Sequence, residues 1–186
     1  MVYVAAPPPP TVAQPPPPAA PRDVTLSFSP LHLFLPALEL QAELRLGSFI
    51  GLTAFGGVGR VTVEVPDSYD PRETDDETLT LYEAGAVLSF YPLEPFESLT
   101  LGAELDWVQL SSDDIGDENI RGVATGLSVG PVLGYKHISA SGFTVVVQGG
   151  VARIAVHAEA SDEVDTEEDD DEQWVPILNL NLGWSF

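Results

Sequence analysis

The sequence predicts an all-β chain: eight antiparallel strands in up-and-down order, closed into a barrel, behind a disordered Pro-rich N-terminus. Three observations carry this. Apolar residues recur at every second position over long stretches, which is the period of a strand. The connections between those stretches alternate between two characters, as the two ends of a meander would. And residues 1–22 hold nine of the seventeen prolines, including the runs 7–10 and 15–18, a composition that favours extended polyproline II and cannot bury a core. The organisation expected is a disordered segment, 1–22, and one barrel domain, 23–186.

Taken in order, the strands are expected at 24–34, 37–46, 49–65, 79–91, 98–110, 122–135, 143–158 and 174–186. The second places Leu38, Leu40, Ala42, Leu44 and Leu46 on one face and Glu39, Gln41, Glu43 and Arg45 on the other. The fifth sets Leu99, Leu101, Ala103, Leu105 and Trp107 against Thr100, Gly102, Glu104 and Asp106. The eighth sets Trp174, Leu178, Leu180, Leu182, Trp184 and Phe186 against Asn179, Asn181, Gly183 and Ser185. In the third and seventh strands the apolar set changes parity at Gly56-Gly57 and Gly149-Gly150, and a β-bulge at each pair would restore it.

The odd-numbered connections are the tight link 35–36 and the acidic stretches 66–78, 111–121 and 159–173; the even-numbered ones, 47–48, 92–97 and 136–142, are short and carry few acids. Of 29 acidic residues, 20 fall in the three acidic connections, so the charge is sorted to one end. The net charge of −22 argues against nucleic acid as partner. Cysteine is absent, which excludes disulfides, thiolate metal sites and a cysteine nucleophile. The start Met1–Ala6 shows neither a basic nor an apolar signal region, although Val4-Ala5-Ala6 could be the remnant of a cleavage site.

No apolar run reaches the length of a membrane helix, yet membrane barrels give weak hydropathy signals because lipid-facing and lumen-facing residues alternate. Every expected strand reaches the roughly 9–11 residues a tilted membrane strand needs. Lipid cannot satisfy an open sheet edge, so such a sheet must close. The aromatic residues fall into two expected belts: Phe49, Phe90, Tyr91, Tyr135, Phe143, Trp184 and Phe186 at the end of the chain termini, and Tyr82, Trp107 and Trp174 at the other. Short turns at one end and long loops at the other is the rule for outer-membrane barrels.

The stretch Asn179–Phe186 closes on an aromatic residue, with Leu180, Leu182 and Trp184 at alternate positions before it. It resembles the C-terminal signal read by the barrel assembly machinery of bacterial outer membranes. In pattern, topology and this signal, 23–186 resembles the OmpA/OmpX-like eight-stranded barrels. Ser29-Pro30-Leu31-His32-Leu33 with the strand after it also looks like a subgroup of such barrels. The resemblance implies an outer-membrane location, termini in the periplasm, acidic loops outside, and outer-membrane lipid or lipopolysaccharide together with the assembly machinery as partners. The Pro-rich segment is then a periplasmic spacer or a ligand for another envelope protein.

A barrel of eight strands is filled by its own side chains. The inward candidates are Glu39, Gln41, Glu43, Arg45, Arg60, Glu64, Glu83, Glu104, Asp106 and Arg153, three arginines among six acids, which predicts a salt-bridged plug. A path for protons or cations along the surplus acids is the alternative. His137-Ile138-Ser139 resembles the His-x-Ser spacing of lipid A deacylases, but here it falls in an expected turn beside Lys136. His32 and His157 are isolated. The run Asp162–Glu172 lacks the spaced ligands of a calcium loop, so diffuse divalent cation binding is expected there rather than an ordered site, and no cofactor is expected. The function expected is structural, anchoring or surface interaction rather than catalysis. A lipid A-modifying enzyme, a narrow ion pore and a soluble ligand-binding barrel are the alternatives.

Overall fold

The computed structural model describes the backbone of residues 21–34, 36–66, 74–115, 120–161 and 166–186, and the side chains of these outside 63–77, 112–122 and 158–171. Eight strands form a closed antiparallel barrel in sequence order: β1 (Val24–Phe28), β2 (Ala37–Arg45), β3 (Ile50–Pro66), β4 (Thr74–Phe90), β5 (Ser98–Ile115), β6 (Ile120–Ile138), β7 (Phe143–Ser161) and β8 (Thr166–Ser185). Apart from Pro21 and Arg22, the Pro-rich segment lies outside the described residues. Arg22 is tied to the β6–β7 turn, donating from Nη1 to the Ser139 carbonyl at 2.9 Å and from Nη2 to that of Ala140 at 2.8 Å.

The first strand is shorter than its pattern implies. The chain leaves the sheet at Ser29, whose N–H bonds the Glu39 carbonyl, and His32–Phe34 form a short 3-10 turn. Pro30 explains this: it has no N–H to give to a ladder, so Leu31-His32-Leu33 cannot continue the strand despite its alternation. β1 therefore meets β8 over four pairs only, Thr25↔Ser185 to Phe28↔Leu182, whereas β7 meets β8 from Phe143↔Trp184 to Ser161↔Thr166.

The acidic connections, by contrast, are largely strand. Pairing of β3 with β4 runs out to Pro66↔Thr74 and that of β7 with β8 to Ser161↔Thr166. The acidic stretch of β8 tolerates pairing because its partner is mostly uncharged: Glu167, Asp169, Asp171 and Glu172 oppose Ala160, Ala158, Val156 and Ala155, and only Glu168 meets another acid, Glu159. Residues 67–73, 116–119 and 162–165, which hold parts of the expected loops, lie outside the described residues.

The expected bulges are absent. Register is continuous through Gly56-Gly57 and shows no shift at Gly149-Gly150; the shift that does occur lies between Ser112 and Ile115. The apolar set changes parity for another reason. Leu52, Ala54 and Val58 face outward, while Phe55 and Val61 fill the interior, so apolar residues occupy both faces of β3 in succession. β7 does the same, with Val147 and Val151 outside and Ala152, Ile154 and Val156 inside.

The polarity of the barrel is inverted relative to a protein dissolved in water. Among the described residues, six apolar residues are buried against fifteen polar or charged ones, while thirty large apolar side chains are exposed, twenty-four of them on the strands. Of the ten aromatic residues expected in belts, nine are on the exterior; Tyr91 instead turns inward and is buried. The apolar row of β5, Leu99 to Trp107, spans eight residue steps, or roughly 20 Å along the axis of a strand tilted by about 40°.

Candidate functional site

The lumen holds two polar layers. The layer nearer the chain termini is built around Lys136, which is fully buried. Its position follows from β6 running on to Ile138: with Leu133 and Tyr135 outside, alternation turns Lys136 inward. Lys136 Nζ donates to Glu43 Oε2 at 2.6 Å and to Thr25 Oγ1 at 2.9 Å. It also sits 3.4 Å from the centroid of the Phe96 ring and 5.7 Å from that of Tyr91, so it meets two aromatic faces. Tyr91 donates its hydroxyl to Glu43 Oε1. Thr25, Ser185 and Thr144 continue the network, with Oγ–Oγ distances of 2.7 and 2.6 Å. Phe96 is held at φ +62°, in the left-handed region that a bulky residue avoids. The β4–β5 connection thus accepts strain to fold an aromatic ring into the barrel mouth.

The second layer lies deeper and is acidic. Glu39 on β2, Gly57 on β3 and Glu83 on β4 form one lateral row, since Glu39 pairs with Gly57 and Gly57 with Glu83. A Cβ on Gly57 would stand 2.1 Å from Glu83 Oε1, so the missing side chain is the space in which Glu83 lies. The turn after β1 brings His32 down onto this row, its Nε2 3.6 Å from Glu39 Oε2 and 3.5 Å from Glu83 Oε2. The other ring nitrogen, Nδ1, bonds Ser29 Oγ at 2.8 Å, and Gln41 Nε2 donates to Glu39 Oε1 at 2.8 Å. On β5, Glu104 accepts a bond from Asn179 Nδ2 at 2.9 Å, and Asp106 Oδ1 is buried without a hydrogen-bond partner. A cavity of about 270 Å³ adjoins this layer, lined by His32, Glu104, Asp106, Asn179 and the β8 stretch Val175–Leu178.

Of the residues expected in a lumen charge network, the structure brings Glu39, Glu83, Glu104 and Asp106 together in the deeper layer and places Glu43 in the layer around Lys136. The arginines are elsewhere. Arg45 lies at the rim, its Nη1 3.6 Å from Asp23 Oδ1 and its Nε donating to the Gly47 carbonyl. Arg60 and Arg153 face outward, and Arg153 pairs with the equally exposed Glu172. Their expected inward orientation depended on bulges at the glycine pairs; with register unbroken, parity carries both to the exterior. The side chain of Glu64 lies outside the described residues. Among the described residues the lumen cations are instead Lys136, which the sequence pattern leaves in a connection, and, when protonated, His32, which it leaves in the first strand. Leu180, Leu182, Trp184 and Phe186 stand on the outward parity of β8 and beyond its end.

His137 faces outward with Nδ1 3.2 Å from Glu97 Oε1, and Ser139 Oγ bonds Ser141 Oγ at 2.9 Å rather than the imidazole. Most of the acidic run from Asp162 has no described side chains. Comparison of the chain with protein-family models, with curated proteins and with solved structures finds no match.

Proposed function

We propose that this chain is a bacterial outer-membrane β-barrel of the small OmpA/OmpX-like kind, closed to ions, that anchors its acidic hairpins outside the cell and its Pro-rich N-terminus in the periplasm. The inverted polarity carries the reading. Twenty-four large apolar side chains exposed on the strands would cost a soluble barrel its solubility, and a soluble ligand-binding barrel would place apolar residues inside instead. In lipid the same surface is at rest, with aromatic rings near both ends of the apolar band. The role is structural, anchoring or surface interaction, with outer-membrane lipid or lipopolysaccharide around the wall. The assembly machinery would read Leu180, Leu182, Trp184 and Phe186, and an envelope protein would meet the Pro-rich segment.

The layer around Lys136 favours a plug over a pore, because a buried cation paired with Glu43 and covered by Phe96 stands in the path. The separation of Ser139 from His137 by its bond to Ser141 favours a non-catalytic role over lipid A deacylation. The test is gel mobility of detergent-folded protein, unboiled against boiled. A shift on boiling, β-type circular dichroism in detergent only, and silence in planar bilayers are expected. A monodisperse protein without detergent would end the membrane reading. Steady conductance that falls on Glu104→Ala would replace the plug with a pore.

A further inference from the structure

We propose that the deeper lumen layer is a binding site for one divalent transition-metal ion, held by His32 Nε2, Glu39 Oε2 and Glu83. The three donor atoms lie within 4.8 Å of one another. The separations of His32 Nε2 from the two carboxylate oxygens, 3.6 and 3.5 Å, are longer than ordinary hydrogen bonds. They suit ligands of a common ion: donors at about 2.0–2.1 Å in tetrahedral array stand roughly 3.4 Å apart.

The atoms behind the donors are arranged as a ligand set requires. Ser29 Oγ, on a residue that is itself buried, holds His32 Nδ1 at 2.8 Å; with the proton on that nitrogen, the Nε2 lone pair faces the two glutamates. Gln41 occupies Glu39 Oε1 and leaves Oε2 to the site. The Glu83 side chain is about nine-tenths buried, and its Oε1 has no hydrogen-bond partner. That atom lies in the space left by Gly57, so the carboxylate can bind through one oxygen or both. Charge points the same way. Glu104 and Asp106 border the layer, and the one buried lysine is committed to Glu43 in the layer below. A cation offsets the cost of burying carboxylates in such number, and an imidazole with two carboxylates suits Zn²⁺ and its neighbours better than Ca²⁺. The cavity along Val175–Leu178 of β8 supplies an approach and room for a water as further ligand.

The experiment uses the full chain folded in detergent, stripped with chelator and titrated with Zn²⁺ and with Co²⁺. One tightly bound equivalent is expected, with a visible Co²⁺ spectrum of low-symmetry coordination and a raised melting temperature. His32→Ala and Glu83→Gln should each weaken that equivalent at least 100-fold. Ser29→Ala, which frees the ring without removing a ligand, should weaken it about 10-fold to 100-fold. Equal binding by wild type and His32→Ala would place the ion on the acidic hairpins and overturn the site, as would no tight equivalent at all. X-ray absorption of the wild-type Zn²⁺ form decides the matter even if a variant does not fold. One imidazole in the shell is expected, and an all-oxygen shell overturns the proposal. Boiled and unboiled mobility, followed in parallel, reports the barrel separately from the metal.

Discussion

Lys136 carries its amino group into the barrel with one carboxylate, one hydroxyl and two aromatic rings around it. Removing one partner of such a pair strands the other, which typically costs about 3–5 kcal/mol. Lys136→Met should therefore lower the urea midpoint of the detergent-folded barrel by that order, because Glu43 is left to Tyr91 alone. Adding Glu43→Gln should recover part of the loss, and a double-mutant cycle measures the coupling. Equal and additive losses would mean that the pair contributes nothing beyond packing. At this scale the sequence was half legible. The alternation of β2 and β5 placed Glu39, Glu43, Glu104 and Asp106 inside, because each lies in an unbroken period of two. Lys136 was hidden by an early strand end at residue 135, and His32 by a proline that turns its segment into the lumen. Neither placement is local: one depends on how far β6 pairs, the other on where the chain goes after leaving the sheet.

At the scale of elements, the outward row of β5 is the cleanest probe of what surrounds the barrel. Ala103 lies midway along that row and is exposed, so it can be lengthened without removing any buried contact. Ala103→Arg should destabilise the barrel folded in lipid vesicles by about 2–4 kcal/mol, the cost of an arginine near the middle of a bilayer. In water the same change would fall within about 0.5 kcal/mol of neutral. Urea titration in vesicles reads the difference, and a neutral outcome would argue against lipid on this face. Strand number, order and direction were legible from periodicity, while strand ends were not. Acidic stretches look like loops because charge is avoided in strands. Yet β8 pairs through its acids, since register sets alanine and valine opposite most of them. Conversely, Leu31-His32-Leu33 looks like a strand, and Pro30 overrules it.

At the scale of the whole molecule, inversion of polarity was legible because it follows from strand parity summed over eight elements. The glycine pairs misled for the same reason: a reading that assigns one polarity to each face must invent bulges wherever the interior turns apolar. Closure itself is uneven. β1 joins β8 through four residue pairs, whereas each neighbouring hairpin from β3 onward is paired over eleven or more. A cylinder is as durable as the line along which it was sewn. Cooperative opening should begin at that line, with the amides of Val24–Phe28 exchanging with deuterium before those of β5 and β6, and with the barrel unrolling from its first strand rather than dissolving at once. Cross-linking Leu26→Cys to Trp184→Cys, which face each other across it, should slow exchange throughout the sheet. Were the same line the last to form, a chain held before that step would present the free edge of β8, Pro176 included, to whatever strand or lipid lies beside it.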